Sequence, residues 1–255
     1  MKSTVLKLTV TAACLTGAAP AFANLVYQTA AQQTGTGLGA VQTVVTVQDN
    51  NVPGGSDNGV ESGCSAYNSA NPATPLQTCY NSLQGGDNIA GSAGTNTYLL
   101  SDIAGLTNAG QLGFVVNISE PGQGNTATLT NLYLALFDLN GNLLDTFSYA
   151  GPALDLTDTG GTGQSGTHRF VLDATQAALA AQDCNDLTQC AVGGGIQFGF
   201  GTTSGDFETV YVGAFLRNDE GGGGTGGEVP EPASLALLGA GAAALGALRR
   251  RNAKK

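Results

Sequence analysis

The chain has 255 residues and a formal charge of −10, with 19 acidic against 9 basic side chains, enough for one sizeable domain with appendages. The basic residues cluster at the two ends, so that Asn24 to Glu228 holds 18 Asp and Glu but only Arg169 and Arg217. A surface of that sign repels phosphate backbones and argues against a nucleic-acid partner.

The first element is an export signal. Lys2 and Lys7 precede an apolar stretch from Leu8 to Leu15, and Ala21-Phe22-Ala23 is a small-x-small cleavage site for signal peptidase. Residues 1–23 are thus expected to be removed, with cleavage between Ala23 and Asn24. Lipidation at Cys14 is the weaker alternative, because Thr11 stands where a bulky aliphatic is usual and the apolar region would be too short.

Export sets the chemistry of the cysteines. Without Cys14 there remain Cys64, Cys79, Cys184 and Cys190, an even number in an oxidising compartment. Three pairings are open, and the local ones are expected: Cys64 with Cys79 and Cys184 with Cys190, each closing a polar loop. No Cys-x-x-Cys occurs, and the one histidine, His168, is distant from both pairs, so neither a metal nor a cofactor is expected.

The body, residues 24–219, reads as strands almost throughout. Val41, Thr43, Val45 and Val47 alternate with polar residues as a half-buried first strand. Val52 to Asn96, rich in Gly, Ser, Asn and Pro, reads as a long loop stapled by Cys64 and Cys79, the natural place for binding specificity. Gln111 to Ile118 and Thr126 to Asp138 follow as apolar strands. In the second, Leu132, Leu134 and Leu136 share one face and Tyr133, Ala135 and Phe137 the other, which predicts a central strand. Asn140-Gly141 predicts a hairpin into Asn142 to Tyr149. Asp138-Leu139-Asn140-Gly141-Asn142 also has a trace of a calcium loop, without that loop's further acids or terminal Glu.

After a short strand from His168 to Leu172, Asp173 and Gln176 form a capping box ahead of one helix reaching Gln182. Two more strands, Gly195 to Gly201 and Phe207 to Leu216, complete about eight. The expected fold is all-β, a single β-sandwich of jelly-roll or Greek-key type with one short helix. Residues 220–228 with their run of glycines form a flexible acidic linker.

Catalytic constellations are weak. Gly161 to Gly166 spells the dinucleotide fingerprint, but Asp155 to Asp158 before it does not read as a strand, and a strand rather than a helix follows. Ser165 near His168 lacks the nucleophile elbow, since Thr167 replaces its final glycine. Asp206 and Glu208 would share a strand face about 7 Å apart, yet an acid-rich chain makes such pairs by chance and solvated surface is expected. A carbohydrate-binding module is the alternative function, resting on Tyr67 and Tyr80 as exposed aromatics in the stapled loop, although the chain has no Trp.

The last 27 residues carry the strongest signal. Val229-Pro230-Glu231-Pro232 holds the backbone extended, and Ala233 to Leu248 is an apolar run of about 24 Å as a helix. That run is short for a membrane span and holds mostly Ala and Gly, so it inserts marginally. Arg249, Arg250 and Arg251 with Lys254 and Lys255 would stay on the cytoplasmic side. This order of motif, apolar segment and basic end closely resembles the PEP-CTERM sorting signal of exported bacterial proteins. The resemblance covers residues 229–255 alone. It implies recognition by a membrane protease of the exosortase class, transit through the inner membrane with 233–248 as transmembrane segment, and delivery to the cell surface or matrix of a Gram-negative type bacterium. A non-enzymatic role is expected, with exopolysaccharide a candidate partner through the association of such signals with exopolysaccharide producers.

Overall fold

Alternation becomes strand nearly wherever the computed structural model describes the chain, which is at residues 25–28, 41–48, 60–83, 85–89, 94–118, 126–158, 167–199 and 207–215. These residues all lie in the first of two units into which the chain divides, Met1–Phe215. In order they form β1 (Leu25–Gln28), β2 (Gln42–Val47), β3 (Ser62–Ser65), β4 (Tyr98–Leu99), β5 (Leu112–Asn117), β6 (Thr126–Asp138), β7 (Leu143–Ser148), β8 (Leu154–Thr157), β9 (Thr167–Leu172), α1 (Ala174–Asp183), β10 (Cys190–Phe198) and β11 (Glu208–Ala214), with three single 3-10 turns between. The protein is therefore mostly β, with one short α-helix among the described residues.

Two sheets result, one ordered β1-β9-β5-β11-β2 and the other β3-β10-β6-β7, with β4 beside β10 and β8 beside β6. Their inward faces share one core. Leu25, Val45, Phe114, Phe170 and Val210 come from the five-stranded sheet, and Leu132, Leu134, Leu136, Phe147 and Ile196 from the six-stranded one. Each such side chain contributes roughly 1.5–3 kcal/mol when fully removed from water.

The six-stranded sheet is apolar on its other face too. Tyr133, Ala135 and Phe137 of β6 and Ala191 of β10 make a second cluster, closed by Cys64, Ala66, Tyr67 and Leu83. The two-faced reading of β6 is thus borne out, residue for residue.

Close packing on both faces explains a glycine run inside a strand. A Cβ on Gly194 would lie 2.6 Å from the Tyr133 carbonyl oxygen and 2.8 Å from the Phe114 ring, and one on Gly195 would collide with the Tyr133 ring. Only glycine fits there. The same run hides the strand in the sequence, so β10 begins five residues earlier than Gly195.

Local signals fare better. Gly141 has φ +85° in the turn between β6 and β7, where its N–H donates to the Asp138 carbonyl at 3.0 Å. Asp173 accepts the N–H of Gln176 at 2.8 Å and Gln176 accepts that of Asp173 at 3.4 Å, the expected capping box at the head of α1.

Several expectations are corrected. The segment from Val52 to Asn96 is not all loop, because Ser62–Ser65 pairs with Gly194–Gln197 of β10. The strand at Gln42–Val47 is buried on both faces rather than one. It is preceded by β1, whose four residues were not foreseen. Leu154–Thr157 is a strand pairing with β6, so a strand does precede Gly161 to Gly166; those glycines lie outside the described residues, and β9 rather than a helix comes next. The expected signal at residues 1–23, Asn24, the expected linker at 220–228 and the tail at 229–255 also lie outside them. Among the described residues no helix is long and apolar enough to cross a membrane.

One side of the fold is closed by residues 87–89 and 94–96, which between them serve both sheets. Ile89 N–H and Asn96 N–H donate to the Thr46 and Val44 carbonyls of β2. Asp87 accepts the Ser62 N–H at 2.8 Å, and Asn88 both accepts from the Cys64 N–H and donates to the Cys64 carbonyl on β3. Exposed strand edges are templates for unwanted pairing, and these contacts cover two of them.

Candidate functional site

The stapled segment was the place assigned to binding, and its geometry changes that assignment. Cys64 bonds to Cys79 and Cys184 to Cys190, the two local pairings. The first bond fixes residues 66–83 over the outer face of β6 and β10. Tyr67 is 7% exposed and Tyr80 is half-buried, its ring edge-on to Tyr133 with centroids 6.2 Å apart. The Tyr80 N–H donates to the Tyr133 hydroxyl at 3.0 Å. Burial pushes the Tyr133 phenol up to about 12, with that hydrogen bond acting the other way. Neither Tyr67 nor Tyr80 is the exposed platform expected of them, because a sheet apolar on both faces needs a cover and these rings belong to it.

Beyond the cover the segment is polar and internally satisfied. Asn68 accepts from the N–H groups of Ala70 and Asn71 and donates to the Thr74 carbonyl at 2.8 Å, while Ala66 and Leu76 exchange backbone hydrogen bonds. Leu76 stands exposed at the base of this loop.

His168 is held at both ring nitrogens. Nε2 lies 3.1 Å from the Thr157 carbonyl, which can only accept, so Nε2 carries the proton. In the neutral ring Nδ1 then accepts from the Tyr27 hydroxyl at 3.0 Å. Burial holds the His168 pKa below the usual imidazole value, against the opposing effects of the Thr157 hydrogen bond and the Asp158 charge. A ring so engaged ties β1 of one sheet to β8 of the other and has no nitrogen left for a substrate. Tyr27 is the partner that sequence reading missed; the only trace of it is the apolar run Leu25-Val26-Tyr27.

The remaining candidates separate likewise. Glu208 is 1% exposed, not solvated surface, and Asp206 lies outside the described residues. Asp138 accepts from the Asn140 and Asn142 N–H groups at 2.9 and 2.8 Å and from the Asn142 side chain. These bonds, the Asn142 side chain's first, hold its pKa below the ordinary carboxylate value and occupy the oxygens that a calcium loop would turn to metal. Among the described residues no three His, Cys, Asp or Glu side chains are grouped to hold a metal ion.

The chemistry of address therefore sits in the tail. Residues 228–251 match the family model of the PEP-CTERM protein-sorting motif, spanning Val229 to Pro232, the apolar run and Arg249 to Arg251. The chain matches no curated protein and no solved structure.

Proposed function

We propose that this is a non-enzymatic exported protein, processed by an exosortase-type protease and delivered to the cell surface or extracellular matrix, where its body serves a structural or interaction role linked to exopolysaccharide. The sorting motif at residues 228–251 is the observation that carries the reading. It implies export and passage through the membrane before release. Two disulfides in the body accord with an oxidising destination.

The body is read as a β-sandwich of Greek-key or jelly-roll type, its two sheets sharing one core. Signal peptidase would free Asn24, and the segment 233–248 would park the chain beside the protease. A non-enzymatic role is supported by the two hydrogen bonds that occupy His168. The carbohydrate-binding alternative loses Tyr67 and Tyr80, the residues on which it rested.

Mass spectrometry of the surface fraction tests the proposal. A mature form ending near Glu231, with full-length precursor accumulating in the membrane after Pro230→Ala plus Glu231→Ala, is the expected result. An intact Lys255 terminus on the surface form would reduce the tail to a plain anchor and overturn the reading.

A further inference from the structure

We propose that the outer face of the six-stranded sheet, where the stapled cover ends, is a binding surface for a neutral, hydroxyl-rich polymer, that is, a polysaccharide without acidic groups.

A bulge makes the surface. Leu129 and Leu132 of β6 both enter the shared core and are fully buried, although residues three apart in a regular strand face opposite ways. The register shift between Gln197 and Phe198, which pair with Asn131 and Leu129, admits one extra residue in β6. Thr130 and Asn131 are thereby both turned outward, the first exposed and the second half-buried. Gln197 of β10 lies beside Asn131, and the exposed Asp155 of β8 lies beside Thr128. The result is a polar terrace across three strands, about 10 Å wide.

Its groups hold one another in place. The Thr128 hydroxyl donates to Asp155 Oδ1 at 2.7 Å, the Thr130 hydroxyl to the Gln197 carbonyl at 3.1 Å, and the Asn131 side-chain amide to the Asn81 carbonyl at 3.0 Å. Asn81 in turn donates to Ser148 Oγ at 2.6 Å. A hydroxyl has two acceptor lone pairs besides its proton, and an amide has two donors and a carbonyl oxygen, so these bonds fix the side chains without using up their capacity. Groups fixed beforehand lose little freedom on binding.

The border with the cover is also distinctive. Asn81 and the next residue, Ser82, are exposed and have φ of +55° and +63°, a conformation that glycine holds without strain. Asn81 retains there a side chain that joins the cover to the terrace.

The chemistry selects the partner. Protein interfaces are anchored by buried aromatic and aliphatic side chains, whereas Asp155, Thr128, Thr130, Asn131, Gln197 and Asn81 present hydroxyls, amides and one carboxylate. An acidic polymer would meet Asp155 and a body with 18 Asp and Glu against two Arg. A neutral polyhydroxyl chain donates and accepts in turn and needs no opposite charge. Contact of this kind differs from the aromatic platform first expected of Tyr67 and Tyr80. The inference gives the proposed exopolysaccharide link a place on the body, and in that respect rests on it.

Native electrophoresis of the full chain, purified from whichever cell fraction holds it, through gels containing dextran, galactomannan or mixed-linkage β-glucan tests the proposal, with alginate as the acidic counterpart. The expected result is slowed migration in at least one neutral gel and none in alginate. Thr130→Ala plus Gln197→Ala should weaken that binding about ten-fold, the loss expected for one or two hydrogen bonds, with unchanged circular dichroism. Asn81→Gly suits the backbone at that position, so it should weaken binding while the melting temperature holds or rises. Thr130→Val, which keeps the branched shape, repeats the measurement if the double variant fails to fold. No retardation in any neutral gel, equal retardation of the variants, or retardation by alginate would each overturn the proposal. Binding is read on purified chain, so a failure of sorting leaves it untouched, and a correctly sorted chain that is not retarded refutes this inference alone.

Discussion

The Tyr133 hydroxyl accepts the backbone N–H of Tyr80 beneath the stapled segment, so the central strand of one sheet holds its own cover in register. Tyr133→Phe removes the acceptor while keeping the ring, and it should cost about 1–3 kcal/mol through the buried N–H left unpaired. The phenol also has a pH signature. Its folded pKa, about 12, lies above the ordinary value of 10.0, so its contribution is complete below the unfolded value and is lost as pH rises from there towards 12. Urea titrations across that range should show a steeper loss of stability in the native sequence than in Tyr133→Phe, and equal slopes would refute the assignment.

His168 makes the opposite prediction at the acid end. Burial lowers its folded pKa below the ordinary 6.5, so the unfolded chain binds the proton first. Stability contributed by the neutral ring is present above the unfolded value and declines as pH falls towards the folded one. Since this is the only histidine in the chain, His168→Gln should flatten the stability profile just below pH 6.5. Thermal melts at half-unit pH steps would check this, and an unchanged slope would remove His168 from the account.

Removing the two disulfides should not be equivalent. The chain-entropy estimate gives about 3 kcal/mol for the 15-residue separation of Cys64 and Cys79 and about 2 kcal/mol for the 6-residue separation of Cys184 and Cys190. Beyond that difference, only Cys64→Ser plus Cys79→Ser frees the cover of the second apolar cluster. That variant alone is expected to bind a hydrophobic dye while keeping β-type circular dichroism; dye binding of equal strength in both would contradict the assigned role of the staple.

Gly194→Ala tests the packing on both sides of β10. The added methyl meets a backbone oxygen and an aromatic ring, neither of which can move far, so destabilisation of about 1–3 kcal/mol or more is expected. Gly86→Ala is the contrast in space alone, since nothing lies within 4 Å of its added Cβ, although its φ of +142° brings a strain of its own. A denaturation midpoint for Gly194→Ala matching that of the native chain would show that the core yields more than its geometry suggests.

Much of this architecture was legible because its signals are local. Thr126 to Asp138, the Asn140-Gly141 turn and the Asp173/Gln176 box each need only a few neighbouring residues, and each stands where the sequence places it. The misses are non-local. Ser62–Ser65 has no apolar alternation, and becomes a strand because β10 offers it a ladder. Tyr67 and Tyr80 read as exposed because their surroundings are polar, whereas the face they cover lies some sixty residues away in β6. Glu208 is buried at the start of β11, where it pairs with Val47 of β2, which no spacing reveals. The tail is the reverse case, a motif written wholly in contiguous residues and so recognised without a fold.

The sheet order sets a timetable for folding. Val47 pairs with Glu208 and Cys64 with Gly195, so strands near the beginning of the body wait for strands near its end. Among the described residues β6 and β7 are the one sequential pair that closes as a hairpin, and pairings as remote in sequence as the others form slowly. During vectorial passage across a membrane the five-stranded sheet stays incomplete until Glu208–Ala214 has emerged, little more than a dozen residues before the sorting motif. By the proposed route the apolar tail segment would reach the bilayer as the last strand becomes available, and a pause there would give the body time to close before its release.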